Sequence, residues 1–130
     1  MKPLILFVDD EAALRKVMSR RLERLGFDVL TAESGEEGLR LARERHPDLI
    51  LLDIMMPTMK GRDVCARLKA DPATAAIPVI FLTALGLADH VKAGMDAGAE
   101  DYLVKPVDSA ALKERIMICL ARRTRTIVQP

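Results

Sequence analysis

Two short apolar runs in this chain are uninterrupted, and each ends in acid. Leu4-Ile5-Leu6-Phe7-Val8 leads into Asp9-Asp10-Glu11, and Leu49-Ile50-Leu51-Leu52 leads into Asp53. A run without polar alternation does not suit a strand with one wet face. It predicts a strand covered on both faces, at the centre of a parallel sheet. In open α/β sheets, ligand sites lie beyond the carboxyl ends of such strands. Asp9, Asp10 and Asp53 are therefore expected to converge on one edge of the sheet. Crowded carboxylates repel one another unless a cation or a proton intervenes. No cluster of His or Cys competes for an ion, and oxygen donors suit a hard cation: Mg²⁺, with Mn²⁺ as a substitute.

Composition narrows the class. A chain of 130 residues holds one domain and one core. Half of it is hydrophobic, yet no apolar run approaches the roughly 20 residues of a membrane span. The apolar stretch after Met1-Lys2-Pro3 is too short for a signal-peptide core. A cytoplasmic location without membrane contact is expected. The net charge of +1 gives no general pull toward nucleic acid, so direct nucleic-acid binding by this domain is not expected. Cys65 and Cys119 are isolated among apolar residues of predicted helices, which suggests reduced, buried thiols.

Strand and helix patterns alternate along the chain. Strands are expected at about 4–8, 27–31, 49–53, 78–83 and 101–104, with the second short and alternating like an edge strand. The first helix spans about 11–25, with Leu14, Val17, Met18, Leu22 and Leu25 at helical spacing and Gly26 as its stop. The second runs from a Ser34 cap to about Arg45, and Ser34-Gly35-Glu36-Glu37 resembles a capping box. Further helices are expected at about 61–70, 88–97 and 108–122. Five strand–helix units predict a doubly wound five-stranded parallel sheet, with helices on both faces and right-handed crossovers. Residues 1–122 form the domain, and 123–130 a solvated tail or the start of a linker.

The chain resembles a response-regulator receiver domain, the phosphoacceptor module of bacterial two-component signalling. The resemblance rests on Asp9-Asp10 after the first strand and Asp53 after the third. It continues with Pro57 and Gly61, Thr83-Ala84 after the fourth strand, and Lys105-Pro106 after the fifth. Each element alone is weak; together, each at the end of the expected strand, they are specific. The resemblance covers about residues 3–122 and implies the flavodoxin-like strand order 2-1-3-4-5.

It also implies roles. Asp53 is the phosphorylation site and nucleophile, since a carboxylate can accept a phosphoryl group covalently. Asp10, Asp53 and the backbone carbonyl of Met55 would hold Mg²⁺, with Asp9 binding through water or directly. Thr83 and Lys105 would meet the phosphoryl oxygens, and Lys105-Pro106 would be cis. Thr83 and Tyr102 would form the switch that reshapes the face built by 85–91 and 102–107. The implied partners are a sensor histidine kinase or phosphotransfer protein, an output domain or effector, and a second copy in a phosphorylation-dependent dimer. The implied activity is limited to the domain's own phosphorylation and dephosphorylation.

Blander readings exist for single residues. Acids favour helix N-termini, so Asp9-Asp10-Glu11 could cap the first helix, but capping leaves Asp53 unexplained. Thr83 alone would be structural, Lys105 alone a surface lysine, and Tyr102 alone strand packing. His46 and His90 are read as solvated, and Met55-Met56 as packing. Two rival functions share the ingredients. A phosphohydrolase with an aspartyl nucleophile needs that residue after the first strand, a second Asp two residues on, and usually a lid. A flavodoxin-like cofactor binder needs a Gly-, Ser- or Thr-rich loop where this chain has Asp9-Asp10-Glu11.

Met55 and Leu85 depart from polar residues that, in the family, accompany fast self-hydrolysis. Both are apolar and offer an attacking water no side-chain hydrogen bond, and orienting that water is a large part of phosphoryl-transfer catalysis. A long-lived phosphoform is expected. Met55→Asn should speed phosphate release from the purified phosphoprotein; faster decay in the parent would refute apolar shielding.

Overall fold

The computed structural model describes residues 1–54, 56, 59–84, 92 and 95–128, with side chains through 122. Five strands form one parallel sheet: β1 (Leu4–Val8), β2 (Asp28–Ala32), β3 (Leu49–Asp53), β4 (Val79–Thr83) and β5 (Asp101–Val104). Their spatial order is β2-β1-β3-β4-β5, as expected. Four helices are described in full: α1 (Ala12–Arg24), α2 (Gly35–Arg45), α3 (Gly61–Ala70) and α4 (Ser109–Val128).

The apolar runs divide by parity into two cores. Leu6, Val8, Ile50, Leu52, Val79 and Phe81 face α2 and α3, with Val64, Cys65 and Leu68. Ile5, Phe7, Leu49, Leu51, Ile80 and Leu82 face α1 and α4, with Leu22, Leu112 and Ile116. Alternate residues of a strand point to opposite faces, so only a run apolar at every position serves two cores. Every residue of β3 and β4 is buried. β2 and β5 are the sheet's edges, and their mixed burial follows.

Local signals place most boundaries. Gly26 adopts φ 102° and ends α1 where the sequence predicts. Ser34 Oγ accepts the Glu37 N–H at 3.2 Å, the forward half of the expected capping box. No side chain caps α1; instead the Asp9 carboxylate accepts the Glu11 N–H at 2.9 Å. Two expectations differ from the structure, at Val17 and at the end of the last helix. Val17 is 62% exposed, because Leu14, Met18, Leu22 and Leu25 complete the inward stripe and Val17 stands at its margin. His46 is exposed, as expected, and forms the C-cap of α2 at φ 47°, a left-handed position more often held by Gly or Asn. The last helix continues to Val128 rather than ending near 122.

Within the helix expected at 88–97, Lys92, Met95 and Asp96 are helical, and Gly98 follows at φ 108°. Met55, Pro57, Leu85, His90 and the 85–91 surface lie outside the described residues. Among the described residues, no helix is long and apolar enough to cross a membrane.

Cys65 and Cys119 are free and buried, as expected. Burial pushes the Cys65 thiol from 9.0 up to about 11, partly offset by nearby Lys69. A folded-state pKa above the unfolded value means the unfolded chain loses this proton first. The thiol's contribution to stability is therefore intact below pH 9.0 and lost as pH rises toward about 11. Urea melts across that interval should lose roughly 1–2 kcal/mol from this group, and Cys65→Ala should fall less steeply. Equal falls in both proteins would remove Cys65 as a cause.

Candidate functional site

The carboxyl ends of β1, β3 and β5 bring the expected residues together. One carboxylate oxygen from each of Asp9, Asp10 and Asp53 lies within 4.8 Å of the others. Asp9 has no solvent exposure and Asp53 has 8%, whereas Asp10 is exposed. The register explains the gathering. β1 and β3 pair through Val8↔Leu52, so the residues that follow each strand emerge side by side.

Lys105 reaches the same point from β5. Its Nζ lies 3.4 Å from Asp9 Oδ2 and 3.9 Å from Asp53 Oδ1. The Lys105–Pro106 peptide bond is cis, as the resemblance implied. The Lys105 N–H donates to the Thr83 carbonyl at 2.7 Å, which anchors the lysine to the end of β4. Thr83 is buried. Among the described residues, one ammonium faces three carboxylates in a setting of reduced solvent screening.

Asp9 is the deepest acid, although the resemblance gave it the lesser place. Its carboxylate meets Lys105 and the Glu11 N–H, and its carbonyl accepts Arg15 Nη1 at 2.8 Å. Arg15 was not anticipated. Its signal was its place in the first turns of the helix that follows the acidic triplet. Gly61 has a steric reason: a Cβ there would lie 2.5 Å from the Asp53 carbonyl oxygen and 2.7 Å from Ile54 Cα. The first residue of α3 thus backs directly onto the strand end that carries Asp53.

Tyr102 is 41% exposed. It pairs with Phe81, so it shares a sheet face with Phe81 and Thr83, one pleat short of the threonine. The donor set fits a hard divalent ion: anionic oxygens, converging and partly buried, with no thiol or imidazole among them. The expected Met55 ligand lies outside the described residues.

The comparisons agree with this geometry. A family model described as the response regulator receiver domain matches residues 5–117. The chain belongs to that family and is a response-regulator receiver domain. A curated relative, the DNA-binding dual master transcriptional regulator RpaA of Synechocystis, is 46% identical over 127 residues, covering 98% of this chain and 52% of the relative. A response regulator receiver domain protein from Clostridium thermocellum superposes with a TM-score of 0.89 at 34% identity, covering 95% of this chain and 98% of that one. The receiver domain of the sensor histidine kinase PA1611 from Pseudomonas aeruginosa has a TM-score of 0.86 at 28% identity. Coverage there is 93% and 99%, and its structure has a magnesium ion coordinated in the active-site cleft. The chain spans about half the length of the curated relatives it matches.

These findings displace both rival functions and correct one expectation. The expectation of no direct nucleic-acid binding by this domain meets a relative, RpaA, that is named for binding DNA. A net charge of +1 describes these 130 residues alone. A module's own charge says nothing about a surface carried on another part of a protein twice its length.

Removing one carboxylate tests the crowding. In EDTA, Asp10→Asn should melt higher than the parent by about 2–5 °C, and millimolar Mg²⁺ should raise its melting temperature less. A parent protein whose melting ignores Mg²⁺ would count against a shared acidic pocket.

Proposed function

We propose that this receiver accepts a phosphoryl group on Asp53 from a phosphohistidine of a sensor kinase or phosphotransfer protein. We place it in the cytoplasm of a bacterium, as the regulated part of a transcriptional regulator. The observation that carries the phosphoacceptor reading is the gathering of Asp9, Asp10 and Asp53 within 4.8 Å, with Lys105 bridging Asp9 and Asp53. The transcriptional reading is supported by likeness to RpaA over nearly the whole chain.

An Asp53 carboxylate oxygen attacks phosphorus in line. The P–N bond to the donor imidazole breaks, and its electron pair stays on that nitrogen. Charge in such a transition state sits on the equatorial oxygens. The Lys105 ammonium pairs with one of them as a compact point charge. The Thr83 hydroxyl donates to another. Asp9 holds Lys105 at the mouth of the site before the donor arrives. Asp9, Asp10 and Asp53 would hold Mg²⁺ or Mn²⁺, which would supply positive charge against the carboxylates and the transferred group. The domain catalyses only its own phosphorylation and dephosphorylation. Thr83 moving toward the phosphoryl group, with Tyr102 following from its half-exposed position, switches the outer face of β5 for the output partner.

Intact-mass spectrometry after treatment with acetyl phosphate and Mg²⁺ should find one added phosphoryl group. Asp53→Ala and EDTA should each abolish it, and Lys105→Ala should slow uptake at least about tenfold. Uptake by Asp53→Ala would move the acceptor elsewhere.

A further inference from the structure

Lys69 lies far along α3 from the acidic site, yet its ammonium is nearly enclosed, with the side chain 19% exposed. Its three N–H bonds find three acceptors. Nζ donates to the Ala75 carbonyl at 3.2 Å, the Ile77 carbonyl at 2.7 Å and Glu100 Oε1 at 3.1 Å. Glu100 is held in turn: its other oxygen accepts the Val79 N–H at 2.5 Å, and its own N–H donates to the Val79 carbonyl at 2.9 Å. The Lys69 stem lies against Gly98, where an added Cβ would come within 2.9 Å of Cγ. One turn earlier on α3, Cys65 Sγ donates to the Ala97 carbonyl at 3.7 Å.

An anchor for the 71–78 loop alone would need only the two carbonyls. The bond to Glu100 adds a different connection, because Glu100 immediately precedes β5. The opposite end of α3 begins at Gly61, against the Asp53 carbonyl and Ile54. A single helix therefore touches the backbone of the proposed acceptor at one end and grips the entry to the strand carrying Tyr102 at the other. Transmission between sites requires a physical element whose arrangement both sites bias.

We infer that Lys69 is a positioning residue, a charge clamp through which α3 ties the Asp53 strand end to the 97–101 turn and so to β5. The inference builds on the phosphoacceptor reading, and it names a second route, beside Thr83, by which that site reaches Tyr102. It calls for a charged donor: Lys69→Met keeps the stem and removes the clamp, while Lys69→Arg keeps a cation. Gly98→Ala disturbs the same clamp from the opposite side by displacing the stem.

The chain has one tyrosine and no tryptophan, so intrinsic fluorescence reports on Tyr102 alone. The test uses the whole chain with Mg²⁺, with and without beryllofluoride, which mimics a phosphoryl group on a carboxylate. In the parent and Lys69→Arg, beryllofluoride should change Tyr102 fluorescence. In Lys69→Met and Gly98→Ala, beryllofluoride should still bind, seen by ¹⁹F resonance, while the Tyr102 response falls at least about threefold. Without beryllofluoride, amide exchange across 97–104 should rise several-fold in Lys69→Met and return toward the parent in Lys69→Arg. A full Tyr102 response in Lys69→Met, or unchanged exchange across 97–104, overturns the clamp. Loss of beryllofluoride binding in Lys69→Met overturns it too, since Lys69 would then support the whole domain. A parent that binds no beryllofluoride defeats the phosphoacceptor reading, and the exchange comparison alone then judges the clamp.

Discussion

Repulsion among Asp9, Asp10 and Asp53 is the constraint around which the domain is arranged. Two of these acids are buried, and the β1–β3 register brings the strand ends that carry them side by side. The fold tolerates the arrangement because Lys105 projects into the cluster from the far edge strand. Among the described residues, one cation against three anions leaves a deficit of positive charge. That deficit makes the site receptive to a divalent ion, and it makes its acids poor neighbours for a phosphoryl group without one.

The remaining architecture serves that edge. β1 and β3 are buried on both faces, which makes their ends stiff and their registers unambiguous. Gly61 lets α3 start directly behind Asp53, where any side chain would collide with the backbone. The Lys105 N–H bonded to the Thr83 carbonyl keeps the lysine and the threonine in fixed relation. At the outer edge, Arg115 grips Asp101 through two hydrogen bonds of 2.6 and 2.8 Å, tying α4 to the start of β5. β5 is thus held at its entry by α3 and α4, while Tyr102 and Val104 stay about two-fifths exposed. An anchored strand with a half-exposed face would suit the switching surface proposed above.

The sheet and its acidic edge were legible in the sequence for a local reason. Leu49 to Leu52 is apolar at every position, which only burial on both faces explains, and both faces of β3 are buried. Gly26 and Ser34 act within a few residues of themselves, and both stand where expected. The errors arose where locality fails. Val17 has helical spacing but lies at the margin of the stripe. Net charge could not speak for DNA, because the relative that binds it is about twice as long as the matched segment.

The parallel sheet, its order by family likeness, and the placing of Asp9, Asp10, Asp53, Thr83 and Lys105 at one edge could all be read from the residues. Strand ends gather there whenever such runs pair in parallel. Only the tertiary structure decided that Asp9 is the most deeply buried acid, that Arg15 supports its backbone, and that Lys69 meets Glu100 across 31 residues. Each of these depends on where one helix end falls against a strand from another part of the chain. Periodicity records which face of an element is buried; it carries no information about which distant polar group completes a hydrogen bond there.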